Sequence, residues 1–197
     1  SGKSSLFEAF LSVRRHQGGF GYNWDANYYI KQPELGESNF NESIDIKFHG
    51  DQPNSREKWR KSIYVRSAYR NDPDFQLQSL NRLGSLLDEH RVERLIHNDA
   101  SVANNYGRLT AQGLEDIYEK EELSTTIGQF REKSIGEIKN SLLKIFPNLI
   151  LNSLGNPLVS ATFKFDKGSS YGFQYVNLSG GEKAVFDIIL DIIVKKR

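Results

Sequence analysis

The rhythm of the hydrophobic positions changes repeatedly along the chain, and each change predicts an element. Leu6, Phe7, Phe10, Leu11 and Val13 recur at close to 3.6 spacing and predict a helix over Ser4–Arg15, giving way at Gly18-Gly19. A stretch rich in aromatics and Asn follows, with Phe20, Tyr22, Trp24, Tyr28 and Tyr29. Ile44, Ile46 and Phe48 then alternate with Asp45 and Lys47, the period of a half-buried strand. Gly50 to Arg56 reads as a polar turn. Ile63–Val65 reads as a second strand that ends near Tyr69, ahead of the Asn71-Asp72-Pro73 breaker.

From Phe75 to Phe146 the period is helical. Leu77, Leu80, Leu83, Leu87 and Leu95 lie along one face, and Ile135, Ile138, Leu142, Leu143 and Phe146 mark another helix. Asn98 to Gly113 reads as an interruption between them. After Pro147 come strand candidates at Leu149–Leu151, Leu158–Phe165 and Phe173–Val176, then an apolar helix from about Gly180 to Val194. There is no internal repeat. The order is helix, strands, helical block, strands, helix, which predicts a mixed α/β fold with antiparallel strands and a helical insertion at 75–146.

Composition narrows the class. At 197 residues the chain can bury a core for one domain, at most two. A formal net charge of +1 gives no bulk attraction to nucleic acid or an anionic membrane, so any basic surface must be local. The absence of cysteine excludes a disulfide framework, a thiolate metal site and a cysteine nucleophile, and suits a reducing cytosol. The most apolar stretch, Ala184–Val194, is broken by Asp187 and Asp191, whereas a membrane span needs about 20 predominantly apolar residues. The expectation is a cytoplasmic location with no membrane partner.

Two motifs carry chemistry. Ser1-Gly2-Lys3-Ser4-Ser5 reads as the tail of a P-loop, G-x-x-x-x-G-K-[ST], whose first glycine would lie upstream. Backbone N–H groups at the helix start would cradle phosphates, Lys3 would neutralise the β/γ-phosphates, and the Ser4 hydroxyl would ligate Mg²⁺. Leu178-Ser179-Gly180-Gly181-Glu182, preceded by Asn177 and followed by Lys183, is the more specific motif. Ser179 stands at the N-cap of the last helix with Glu182 three residues on, a capping-box arrangement. Capping does not call for two consecutive glycines, however, and these suit close approach of backbone to another group.

Lys3 and Ser4 at one end and Leu178 to Lys183 at the other resemble the ABC ATPase superfamily. The match is most similar to its chromosome-associated and RecF-type branch, where LSGGEK opens a long apolar helix. That resemblance implies an ATPase head that binds ATP and Mg²⁺ through Gly2, Lys3, Ser4 and Ser5. It implies that Ser179, Gly180 and Gly181 touch the γ-phosphate held by a second copy, so that ATP joins two heads in a homodimer. It rests on some two dozen residues at the ends. The first half of the P-loop, the Walker B strand and the switch histidine are not found, so no catalytic residue is named and the core is expected to be incomplete at both ends. Arg66-Ser67-Ala68-Tyr69-Arg70 stands where a Q-loop glutamine would, and the nearest glutamine is Gln76.

The wide separation of Lys3 and Ser179 and the intermediate insertion look similar to RecF, to OLD-type ATPases and to retron- or Septu-associated defence ATPases. The implied work is ATP hydrolysis coupled to DNA-directed antiviral defence or repair, with a nuclease partner or fused nuclease domain. A transporter nucleotide-binding subunit, or a nucleotide-gated assembly module without useful turnover, are the alternatives.

Secondary features have blander readings. Arg60, Lys61, Arg66 and Arg70 form a basic cluster that could meet phosphate, with a solvated face favoured. The aromatics at 20–29 could stack on a base, with packing under a loop favoured. Asp187 and Asp191 share a helix face and could bind a metal, with salt bridges or exposure favoured. His16, His49, His90 and His97 show no ligand spacing.

Overall fold

The computed structural model describes residues 2–20, 44–66, 72–75, 77 and 100–196. They fall into two compact units, residues up to 66 in the first and those from 72 onward in the second. The described residues are mixed in class: helices plus a small antiparallel three-stranded sheet.

The first unit pairs α1 (Gly2–Gly18) with α2 (Arg56–Ser62). The first helix ends as its glycines require. Gly19 takes φ +64, its N–H bonds the His16 carbonyl, and the Phe20 N–H bonds that of Arg15, the double closure of a Schellman cap. A Cβ at Gly19 would stand 2.7 Å from the Arg56 side chain. Phe20 turns back beneath two guanidinium groups, Arg14 at 4.9 Å and Arg60 at 4.6 Å from its ring centre. Arg60 Nε donates to the Gly18 carbonyl at 2.7 Å, tying α2 to the end of α1.

Several expectations change in this unit. Leu11 and Val13 are buried, but Leu6 and Phe7 are exposed, and Glu8, Ser12, Arg14 and Arg15 take buried places on α1. Residues 44–48 keep the alternation of half-buried Ile44, Ile46 and Phe48 with exposed Asp45 and Lys47, yet they join no ladder among the described residues. The polar turn closes one residue before Arg56. Ser55 accepts from the Lys58 N–H and starts α2, with Glu57 and Lys61 paired one turn apart. Ile63–Val65 follows as chain that joins no sheet among the described residues. Residues 21–43 and 67–71, with the remaining aromatics, Arg70 and most of the Q-loop candidate, lie outside the described residues.

The first helical element described in the second unit is a 3-10 turn at Ala100–Asn104 that runs into α3 (Asn105–Glu119). The expected interruption at 98–113 is therefore mostly helix. Its polar Asn105 is fully buried, and Nδ2 donates to Asp191 at 3.1 Å, a long-range bond that periodicity does not register. α4 (Ile127–Ile145) starts at Thr126, which exchanges backbone and side-chain bonds with Gln129 in a capping box. Leu80, Leu83, Leu87 and Leu95 lie outside the described residues.

β1 (Leu149–Ser153), β2 (Lys164–Lys167) and β3 (Ser170–Gln174) form a meander in the order β1-β2-β3. The strand expected at 158–165 is shifted. Asn156 holds a turn through its side-chain oxygen on the Leu158 N–H and its carbonyl on Val159 and Ser160, leaving Leu158 and Val159 exposed. Gly155, at φ +68, sits where a Cβ would press on the Thr162 carbonyl at 2.9 Å. Gly168, at φ +58, leads the two-residue loop between β2 and β3, where Lys167 pairs Ser170. Phe173 belongs to β3, but Tyr175–Asn177 is a 3-10 turn.

α5 (Gly180–Lys196) closes the unit, packing on α4 and α3, while α4 packs on β1. Phe163, Phe165, Tyr106, Phe186, Leu142, Leu149, Leu151 and Leu190 are the fully buried centre. Among the described residues no helix is long and apolar enough to cross a membrane.

Candidate functional site

Gly2, Lys3, Ser4 and Ser5 occupy the first turn of α1, with Ser4 and Ser5 exposed. The first N–H groups of a helix have no intrahelical acceptor and carry the positive end of its dipole. No acidic residue lies in this first turn, so an anion would meet no carboxylate on α1 there. The order Gly-Lys-Ser opens the helix.

The second motif sits at the start of α5. Leu178 is buried in the core of its unit and anchors the loop, while Ser179, Gly180 and Gly181 are exposed. Ser179 is the N-cap: its N–H and its hydroxyl both donate to Glu182 Oε2, at 2.9 and 2.8 Å, and the Glu182 N–H returns to its Oγ at 3.4 Å. The expected capping box is present. Glu182 is nearly buried, and its other oxygen accepts from Lys167 Nζ at 2.6 Å. Lys183 turns to Asp72 and lies over the Tyr175 ring at 5.6 Å.

The glycines have no reason for being glycine within the described chain. Neither adopts positive φ, and a Cβ on either would meet nothing within 4 Å. In a helix interior glycine costs about 1 kcal/mol relative to alanine, and at a helix start less. What the two glycines leave is bare backbone: the Glu182 N–H is taken by Ser179, and the Gly180 and Gly181 N–H groups, in the first turn of the helix, have no intrahelical acceptor. No family model, characterised protein or solved structure matches the chain. The site is therefore argued from its own geometry.

Burial pushes the Glu182 carboxyl up, but the bonds from Lys167 and Ser179 and the Lys167 charge outweigh it and hold the group below the ordinary glutamate range. The sign for stability follows. A folded-state value below the unfolded one means that the unfolded chain binds the extra proton. The stabilisation is present above the ordinary value of 4.5 and is lost as pH falls through the folded one. Thermal unfolding scanned through that acid window should therefore show a shallower loss of Tm for Glu182→Gln than for wild type. Equal slopes would show that Glu182 makes no linked contribution.

The secondary features are absorbed into the fold. Asp187 and Asp191 are not exposed: Asp187 accepts from the Tyr175 hydroxyl at 2.9 Å and Asp191 from Asn105, both inside the unit. Arg60 is engaged with Gly18 and Phe20, while Lys61 is exposed and pairs with the exposed Glu57. His16 and His49 are exposed, and His90 and His97 lie outside the described residues. A groove of about 840 Å³ between α3, α4 and the loop after β1 is floored by Leu109, Leu114 and Phe130, with Arg131 and Lys164 on its rim. It contains neither motif. Sequence reasoning missed Lys167, whose partnership with Glu182 depends on the hairpin register.

Proposed function

We propose that this chain belongs to the head of an ABC-type ATPase, binding ATP through the start of α1 and presenting the start of α5 to the triphosphate of a second copy. The observation that carries the reading is the Gly180-Gly181 pair: exposed, at ordinary φ, with no turn or packing need for glycine. Glycines kept at that cost in a helix's first turn are accounted for by a group that approaches the backbone from outside. Ser179 adds a hydroxyl beside the two N–H donors. At the other site Lys3 would neutralise the β/γ-phosphates and Ser4 would hold Mg²⁺, which supplies further charge neutralisation when bound.

The further step, hydrolysis coupled to DNA-directed defence or repair with a nuclease, rests on the resemblance described above.

The test is the mass of the full-length protein by light scattering, with and without MgATP, for wild type and Ser179→Arg. The expected result is a doubling of mass on nucleotide in wild type alone, since the arginine would fill the space against Gly180 and Gly181. A Ser179→Arg protein that dimerises normally sinks the composite site.

A further inference from the structure

We propose that Lys167, on β2, is a positioning residue for the signature loop: its ammonium clamps the carboxylate of Glu182, which holds the Ser179 N–H and hydroxyl in place to meet a γ-phosphate. This inference deepens the reading above and rests on it.

The geometry assigns the two carboxylate oxygens separate tasks. Oε1 takes Lys167 and Oε2 takes both Ser179 donors. A capping box built only from Ser179 and Glu182 refers the loop to its own helix. Lys167 comes from a different element, the end of β2, where it pairs Leu149 on β1 and Ser170 on β3. Through it the loop is referred to the sheet. The cation closer in sequence does not substitute, because Lys183 is committed to Asp72 and the Tyr175 face.

The hydroxyl explains why a second anchor matters. A carboxylate only accepts, so at 2.8 Å from Glu182 Oε2 the Ser179 hydroxyl must be the donor. To donate to a phosphoryl oxygen it has to leave Glu182. With Lys167 on Oε1 the carboxylate stays where it is and keeps the Ser179 N–H, so the backbone does not follow the hydroxyl outward. Lys167 is about half exposed, and an ion pair with an exposed partner adds little to global stability. Its effect is local placement.

The experiment uses the full-length protein as wild type, Lys167→Met, Lys167→Arg and Ser179→Arg. Hydrogen exchange of the amides at 178–182 is read without nucleotide, and MgATP affinity and MgATP-dependent mass are read alongside. Lys167→Met should speed exchange at Ser179 about two- to fivefold. It should raise the ATP concentration needed for dimerisation by a similar factor and leave nucleotide affinity at the P-loop unchanged. Lys167→Arg should restore both. Unchanged exchange in Lys167→Met overturns the clamp whatever the nucleotide does. Faster exchange with unaltered dimerisation, while Ser179→Arg abolishes it, overturns the positioning role and leaves the composite site standing. If wild type itself does not respond to ATP although Lys167→Met loosens the loop, the nucleotide reading has failed and Lys167 is a structural partner only.

Discussion

Phe163→Ala is expected to cost the second unit about 3–5 kcal/mol, the range for removing a fully buried phenylalanine. Phe163 has no exposed surface and meets three other rings edge-on: Phe75 at 5.0 Å, Tyr106 at 5.3 Å and Phe186 at 4.9 Å. Those rings come from the chain before α3, from α3 and from α5, so the truncation opens a cavity where three segments converge. No single neighbour can close it, because Tyr106 is also tethered by its hydroxyl to the Leu154 carbonyl at 2.6 Å. Burial pushes that phenol up to about 12, with a backbone bond to Thr162 pulling the other way, so it remains a neutral donor across the working pH range. Domains are stable by about 5–15 kcal/mol, so the loss is a large share of the total. Urea unfolding followed by tryptophan-independent far-UV signal measures it, with Tyr171→Ala on the exposed side of β3 as control, expected within about 0.5 kcal/mol of wild type. A cost for Phe163→Ala below about 1 kcal/mol would mean that this aromatic cluster is not the core.

The elements legible in the sequence are those whose ends are written locally. α1 ends on Gly18-Gly19, and α5 starts on a serine with a glutamate three residues later; both boundaries are made by short-range bonds. α2 was not legible because seven residues are too few to show a period, although Ser55 and the Glu57–Lys61 pair mark it. The start of α3 failed for a different reason. Pattern reading counts asparagine as exposed, while Asn105 is buried and its Nδ2 donates to Asp191, 86 positions away. Leu158 and Val159 mislead in the opposite sense, being apolar but held outward by the Asn156-Pro157 turn. At the start of α5 the capping box was readable. The clamp was not, since Lys167 reaches Glu182 only because a two-residue turn at Gly168 sets the hairpin register.

Lys3→Ala should remove nucleotide binding from the full-length protein. Lys3 lies in the first turn of α1, beside the exposed Ser4 and Ser5, where the helix offers backbone donors and no acidic residue. Backbone dipoles alone attract phosphate weakly, and a full charge held at the same place supplies most of the attraction. Truncating one member of a desolvated, hydrogen-bonded charge pair costs about 2–5 kcal/mol, which is thirtyfold in Kd at the low end. Ser4→Ala separates the metal from the phosphate: it should reduce the gain in affinity that Mg²⁺ gives while leaving metal-free binding nearly unchanged, because the hydroxyl is assigned to the cation and not to the phosphates. Neither change touches the buried Leu11 and Val13, so helix stability should be altered little. Fluorescent ATP titrated with and without Mg²⁺ reads both variants. If Lys3→Ala keeps wild-type affinity, the start of α1 is an ordinary helix end, and the ATPase reading loses its nucleotide site even if the loop before α5 binds phosphate.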